Sequence, residues 1–508
     1  MISRIHELAA PHVSERPDHA ALIDLDDTAI SYERLDQMVR EAADFLGRHG
    51  LRPGDRLLIV AENCAALAVA IFAASRLDAI ATPVNARMTA PELARIRAHA
   101  EPRVVIYTSA VSADARTHAE GAGAAAVSMA GFAVHVEGDL PATPEPVSPG
   151  RDHVAALLYT TGTMGTPKGV MLTHGNLLYG GEASAALRSL QPADVIYGVL
   201  PITHVFGLNS MLVAASWGGA TIRLAARFTA AALYDALCRD VTILPAVPQM
   251  HALLMGHARS LGLTRLEGGR LRYVSSGAAP LDPDWKRRAE AFYGLPLQNG
   301  YGMTESTAGI TVTRNPPGAL DVSVGKPFPG VEVRLDPSVG AQADGGVGEI
   351  LTRGPHVMKG YFRAPEETAK VLDAAGWLRT GDLGRFDADG NLHVVGRSRE
   401  LIIRSGFNVY PPEVEAALND HPAVVQSAVV GRSLAGNEEV LAFVQIAEPG
   451  GVTVAELAAH AAARLSPYKR PSRIVLATAL PAAATGKILK HRLIDHFAEQ
   501  LSGPSDAS

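Results

Sequence analysis

A series of short apolar runs constrains this chain's fold more than any other feature: DRLLIVAEN from Asp55, SRLDAIATPVN from Ser75, VAALLYT from Val154, DVIYGVLP from Asp194, VTILPAVP from Val241 and LRYVSSG from Leu271. Runs that are apolar on both faces read as strands buried on both sides, and most of these lead straight into a turn rich in Gly, Pro or Thr. Helical patterns lie between them. After Ser31, a capping residue by type, YERLDQMVREAADFLGRHG places Leu35, Met38, Val39, Ala42 and Leu46 on one helical face and stops at Gly50. Alternating strands and helices predict α/β layers, in which ligands gather beyond the carboxyl ends of the strands.

Beyond Gly325 the texture changes. VEVRLD, VGEILTRG and NLHVVGR read as shorter strands of a small β-rich subdomain. PPEVEAALNDHP is a helix opened by proline with an acid in its first turn, and VVQSAVVG, EEVLAFVQI, VAELAAHAAARL and a last helix after Gly486 complete a compact α+β tail. The expected division is a large N-terminal domain over 1–396, made of layered α/β subdomains plus the small β-rich one, and a small α+β C-terminal domain over 397–508. The stretch from Ser112 to Gly150, rich in Ala, Gly, Ser and Pro, is predicted only as connections or a peripheral element.

With 508 residues, 47% of them hydrophobic and 19% charged, the chain can bury sizeable cores. A net charge of −6 without a long basic run leaves no electrostatic footprint for nucleic acid. Cys64 and Cys238 stand far apart with no partner motif, which argues for two buried thiols rather than a disulfide framework or a zinc site. The start, MISRIHELAAPHVSERP, lacks the apolar core of a signal peptide, and AALAVAIFAAS from Ala65 is broken at Arg76, too short to cross a bilayer. A cytoplasmic protein without a membrane span is the expectation.

TTGTMGTPKG, from Thr160 to Gly169, has the chemistry of a phosphate loop. Its glycines let backbone N–H groups approach a ligand, while the threonine hydroxyls and one ammonium group suit phosphate oxygens. The nucleoside-triphosphate P-loop does not fit, because Lys168 stands between Pro167 and Gly169 and no hydroxyl follows it. Four other stretches follow in order: NGYGMTES from Asn299, RTGDLG from Arg379, GRSRELIIRSGFNVYPPEVE from Gly396 and ATGKILK from Ala484. Together the five stretches resemble the adenylate-forming enzymes, specifically the AMP-forming acyl-CoA synthetase branch of the superfamily that also holds luciferases and peptide synthetase adenylation domains.

That resemblance implies ATP, Mg²⁺ and CoA as small-molecule partners of a carboxylic acid. It assigns Thr160, Thr161, Gly162, Thr163, Gly165 and Lys168 to the β- and γ-phosphates, with Met164 where the family usually carries a small hydroxyl residue. Gly277, Ala278 and Ala279 of SSGAAPL would border adenine, as would Asn299, Gly300, Tyr301 and Gly302, with Tyr301 offering an aromatic face. Thr304 would meet the α-phosphate, Glu305 the Mg²⁺ ion, Asp382 the ribose hydroxyls and Arg397 the ribose or phosphates. Arg399 falls at the hinge about which the C-terminal domain would swing, Gly406 beside the tunnel for the pantetheine arm of CoA, and Lys487 at the catalytic lysine. His204, Val205, Phe206, Asn209, Gly277, Asn299 and Gly302 would line the acyl pocket, with His204 at its carboxylate end.

The implied activity is an ATP-dependent carboxylic acid:CoA ligase acting on a medium aliphatic or simple aromatic acid. One rival is an enzyme that loads an acyl group onto a separate carrier protein; an amino acid is disfavoured because THVFG holds no aspartate for an α-ammonium. A second rival, a scaffold that has lost its chemistry, is opposed by Glu305, Asp382 and Lys487. A homodimer is left open.

Overall fold

A computed structural model of the chain describes residues 2–161, 167–277, 281–339, 346–398, 400–404, 407–434, 437–482 and 488–501. Among these residues two large sheets dominate. The first runs in the order Lys326–Pro327, Thr311–Val312, Leu297–Tyr301, Tyr273–Gly277, Ile243–Ala246, Val195–Gly198, Thr221–Leu224, Ala20–Ile23, Ala29–Ser31. From Leu297–Tyr301 through Ala20–Ile23 its strands are parallel. The second runs Gly360–Tyr361, Pro167–Thr173, Val154–Thr161, Ile80–Asn85, Arg56–Ala61, Val104–Tyr107, Phe132–Glu137, Ala125–Met129, with parallel strands at its centre.

The apolar runs are strands because helices cover both of their faces; every residue of Arg56–Ala61 is buried. The helix Ala65–Arg76 is apolar all round and buried from Ala65 to Ser75, as a helix in a protein interior must be. It shares one core with Leu57 and Leu158 of the second sheet and Ile196 and Ile222 of the first, so the two sheets are built on common packing. The amphipathic helix is Tyr32–Arg48, and the Ser31 side chain caps it by accepting from the Arg34 N–H at 3.2 Å.

A smaller antiparallel sheet, Glu332–Asp336, Gly348–Arg353, Leu378–Phe386 and Leu392–Arg397, forms the β-rich subdomain. The small C-terminal domain contains Val424–Leu434, Asn437–Ile446 and Arg473–Ala477 in one sheet, packed with the helices Pro411–Asn419 and Val454–Ala462. The fold is thus mixed α/β with a large N-terminal and a small C-terminal domain. No described helix is long and apolar enough to cross a membrane.

Two expectations change. The stretch from Ser112 to Gly150 holds a helix, Ala113–Gly121, and a hairpin, Ala125–Met129 with Phe132–Glu137, at the edge of the second sheet. Its first strand is largely exposed, so the sequence carries little alternation to read there. Cys64 is buried as expected, but Cys238 is only half-buried, and its thiol points to the Glu267 carbonyl at 3.6 Å.

Candidate active site

Among the described residues, Lys168, Tyr301, Glu305, Asp382 and Arg397 come together where the two large sheets and the β-rich subdomain meet. Thr160 is paired with Lys168 across adjacent antiparallel strands, which places both at the neck of the TTGTMGTPKG loop. The Lys168 ammonium lies 5.0 Å from the centre of the Tyr361 ring and donates to Glu367 at 2.6 Å. Hydrogen bonds from Lys168 and Lys370 hold the Glu367 carboxyl down to about 2. On its other side, the Tyr361 hydroxyl donates to Glu305 Oε1 at 2.8 Å. Tyr361 therefore links the loop lysine to the carboxylate of NGYGMTES.

Thr304 and Glu305 are buried, at 8% and 7% exposure, on a single turn of 3₁₀ helix, Thr304–Ser306. The turn is pinned from behind: the Met358 N–H donates to the Glu305 carbonyl at 2.9 Å, and the Thr307 hydroxyl donates to the His356 carbonyl at 2.7 Å. Thr307 and Ala308 take left-handed φ values of 50° and 79°, costly for residues with a Cβ and common where a site imposes its geometry. This turn requires a glycine at Gly302, since a Cβ there would stand 1.8 Å from the Ala308 carbonyl oxygen.

Asp382, on the strand Leu378–Phe386, faces Arg397 across the sheet and accepts from its Nε at 3.0 Å. It also accepts from the Tyr301 hydroxyl at 2.6 Å. Burial and the adjacent Asp382 charge raise the Tyr301 hydroxyl well above its usual pKa, so it remains a donor. Burial opposes charge on Arg397, but Asp382, Glu400, Tyr301 and Glu305 together raise its pKa. Tyr301, Asp382 and Arg397 thus form one electrostatic unit that reaches toward Glu305, and Tyr301 meets a carboxylate through its edge.

Gly277 and Gly300 lie side by side at the carboxyl ends of parallel strands. The Phe206 ring covers Gly277, where a Cβ would come within 3.1 Å of the ring. His204 is exposed and caps the following helix, its Nδ1 accepting from the Phe206 N–H at 3.3 Å. Val205 is buried. Asn209 is fully buried and donates to the Thr307 carbonyl at 3.2 Å, and Asn299 donates to the Ser323 carbonyl at 3.0 Å. Both asparagines therefore brace the walls from within and do not present their amides to open space.

Gly162, Thr163, Gly165, Ala278, Ala279, Arg399, Gly406 and Lys487 lie outside the described residues, as does the Thr161 side chain. Sequence reading missed Tyr361 and Glu367. The available signal was GYFRAPEETA, in which a glycine, φ 144°, and an aromatic precede a proline-opened helix, Pro365–Val371. What remained illegible was that Gly360–Tyr361 pairs with the strand carrying Lys168.

The family model described as AMP-binding enzyme matches residues 10–362, and that described as AMP-binding enzyme C-terminal domain matches residues 413–487. The 4-coumarate–CoA ligase 5 of Oryza sativa subsp. japonica is 34% identical over 511 residues, covering 96% of this chain and 94% of that protein. A feruloyl-CoA synthase of Amycolatopsis sp. is 35% identical over 487 residues, covering 94% and 96%. The O-succinylbenzoate coenzyme A synthetase of Bacillus subtilis, solved in complex with ATP and magnesium ion, superposes with a TM-score of 0.81 at 27% identity, covering 96% of this chain and 99% of that one.

Proposed function

This chain belongs to the AMP-binding enzyme family, and we propose that within it the acid activated is a simple aromatic one. The chain is an AMP-forming acid–CoA ligase that uses ATP and CoA. The acid carboxylate attacks the α-phosphorus of ATP and pyrophosphate leaves, giving acyl-AMP; the CoA thiol then attacks the acyl carbonyl and AMP leaves. Dividing the reaction this way turns an unreactive carboxylate into an activated acyl group before the thiol arrives.

The observation that carries the aromatic assignment is the Phe206 ring lying on Gly277 beside Gly300, a flat aromatic wall at the carboxyl ends of parallel strands. The relatives named for coumarate and ferulate support it over a medium aliphatic acid. The test is a panel of benzoates, cinnamates and straight-chain acids with ATP and CoA, scored for both AMP and thioester. Aromatic acids are expected to lead in kcat/KM by about tenfold or more; a straight-chain acid at the top of the ranking sinks the assignment.

Within this reading the chain divides at 396/397. Asp382 accepts from the ribose hydroxyls, Tyr301 and Arg397 hold its carboxylate in place, and Lys168 exchanges Glu367 for phosphate oxygens. Glu305 suits Mg²⁺: it is a buried carboxylate already oriented by one hydroxyl, and an ion held chiefly by substrate phosphates needs only one or two carboxylates from the protein. The bound ion would neutralise charge on those phosphates. Arg399 serves as the hinge, Gly406 borders the pantetheine tunnel and Lys487 acts in adenylation.

Tyr361→Phe tests the orienting hydroxyl. Hydrogen bonds to charged groups contribute about 1.5–3 kcal/mol, so the KM for Mg·ATP should rise about tenfold with little change in melting temperature. An unchanged KM would remove Tyr361 from the site.

A further inference from the structure

Arg188 ends the helix His174–Arg188 and is 4% exposed. Its Nη1 donates to the Ser210 carbonyl, and its guanidinium lies 6.0 Å from the centre of the Tyr273 ring. Its Nε is buried without an acceptor, and the Tyr273 hydroxyl beside it is buried with, among the described residues, only the Arg188 and Ser275 side chains close by. Burial is what lowers the Arg188 pKa; the Tyr273 hydroxyl opposes that shift, and no carboxylate of the described residues does. A desolvated guanidinium is ordinarily surrounded by acceptors. Arg56 in this same protein is an example, donating to the carbonyls of Ala100, Gly54, Thr143 and Glu101. At Arg188 a charged donor is left over, and a hydroxyl beside it.

The place of these two groups gives them a role. Alternate residues of a strand share a face, so Tyr273, Ser275 and Gly277 point the same way. Phe206 covers the Gly277 end of that face, and Ser210 follows Phe206 by one helical turn in the continuous helix over 205–218. The helix ending in Arg188 lies tight against this one. A Cβ on Gly180 would stand 2.0 Å from Asn209 Nδ2, and one on Gly181 would stand 2.6 Å from Val213 Cγ1. Tyr273 and Arg188 therefore sit at the amino end of the strand whose carboxyl end is covered by the Phe206 ring, roughly 13 Å of strand away. The side chain of Arg314, exposed, adds positive potential toward Tyr273.

We propose that Arg188 and Tyr273 close the far end of the acyl site and hold a second, negatively charged group of the substrate, opposite the carboxylate that reacts. This rests on the acid–CoA ligase reading of the same site. The charged group would accept from Arg188 Nε and from the Tyr273 hydroxyl, and the span between the Phe206 ring and these donors suits an aryl acid with a para substituent.

The test compares three acids of one skeleton in the full-length protein, scored by AMP formation: para-carboxycinnamate, para-hydroxycinnamate (coumarate) and para-methylcinnamate. The parent protein should favour the carboxy acid over the methyl acid by about tenfold or more in kcat/KM, because a site built to pair a buried donor rejects a substrate that leaves it unpaired. Arg188→Met should erase that preference through KM for the acid while leaving KM for ATP and the methyl acid's turnover near parental, and Tyr273→Phe should weaken it severalfold. A parent protein that ranks the hydroxy or methyl acid first overturns the proposal, as does a carboxylate preference that survives Arg188→Met. If Arg188→Met does not fold, the parent ranking and Tyr273→Phe decide. Conversion of other acids but none of these three also counts against the proposal, whereas no AMP or thioester from any acid would instead remove the ligase reading beneath it.

Discussion

Lys487→Ala is expected to lower acyl-AMP formation by more than about a hundredfold, the scale on which enzymes lose rate when a donor aimed at transition-state charge is removed. The expectation rests on ATGKILK, which by its resemblance would bring one ammonium group to the carboxylate and α-phosphate as negative charge builds between them. Thioester formation from supplied acyl-AMP should be far less affected, since that half-reaction starts after the phosphoryl chemistry is complete. A nearby lysine provides the control. The Lys490 ammonium is held between Glu400 at 2.9 Å and Glu415 at 2.8 Å; burial works against its charge, but the two glutamates raise its pKa. Its charge is already committed to structure, so Lys490→Ala should lower the melting temperature and depress both half-reactions together. Equal losses in both half-reactions for Lys487→Ala would place that residue with Lys490 as structural.

Asp382→Ala should raise the KM for ATP by about thirtyfold to a hundredfold. It removes an acceptor for two ribose hydroxyls and strands two donors, the buried Tyr301 hydroxyl and Arg397 Nε, both of which now end on this carboxylate. The more specific readout is the nucleotide itself. The parent should discriminate against 2′-deoxy-ATP, because that analogue forfeits a hydrogen bond to a buried carboxylate, and the variant should lose most of this discrimination. Asp382→Asn keeps an acceptor oxygen and should fall between the two. Undiminished discrimination in Asp382→Ala would move the ribose contact elsewhere.

The parts of this protein legible in its sequence are those whose chemistry is local. The buried strands announce themselves as apolar runs, the Ser31 cap precedes its helix, and Glu305 and Asp382 stand in short motifs whose glycines and hydroxyls mark them. What was not legible depends on partners distant in sequence. Tyr361 matters because it touches Glu305 and stands beneath Lys168, and neither contact leaves a trace in GYFRAP. Arg188 reads as an ordinary helix-ending arginine until the packing at Gly180 and Gly181 buries it. Gly302 also makes way for the Ala308 carbonyl, a demand on that position that NGYGMTES does not disclose.

The pairing of Gly360–Tyr361 with Pro167–Thr173 also bears on how the chain must be made. The strand that carries Lys168 leaves the ribosome long before the residues that cover its outer side. During that interval its N–H and C=O groups form an open sheet edge, the kind of surface on which nascent chains join one another. The charged residues nearby, Lys168 on the strand and Glu367 on the helix that arrives later, leave an unneutralised cation on that edge until the match is complete, which discourages two unfinished copies from pairing through it. The contact of Tyr361 with Lys168 and Glu305 is thus made only after Gly360 has emerged, late in the synthesis of the large domain.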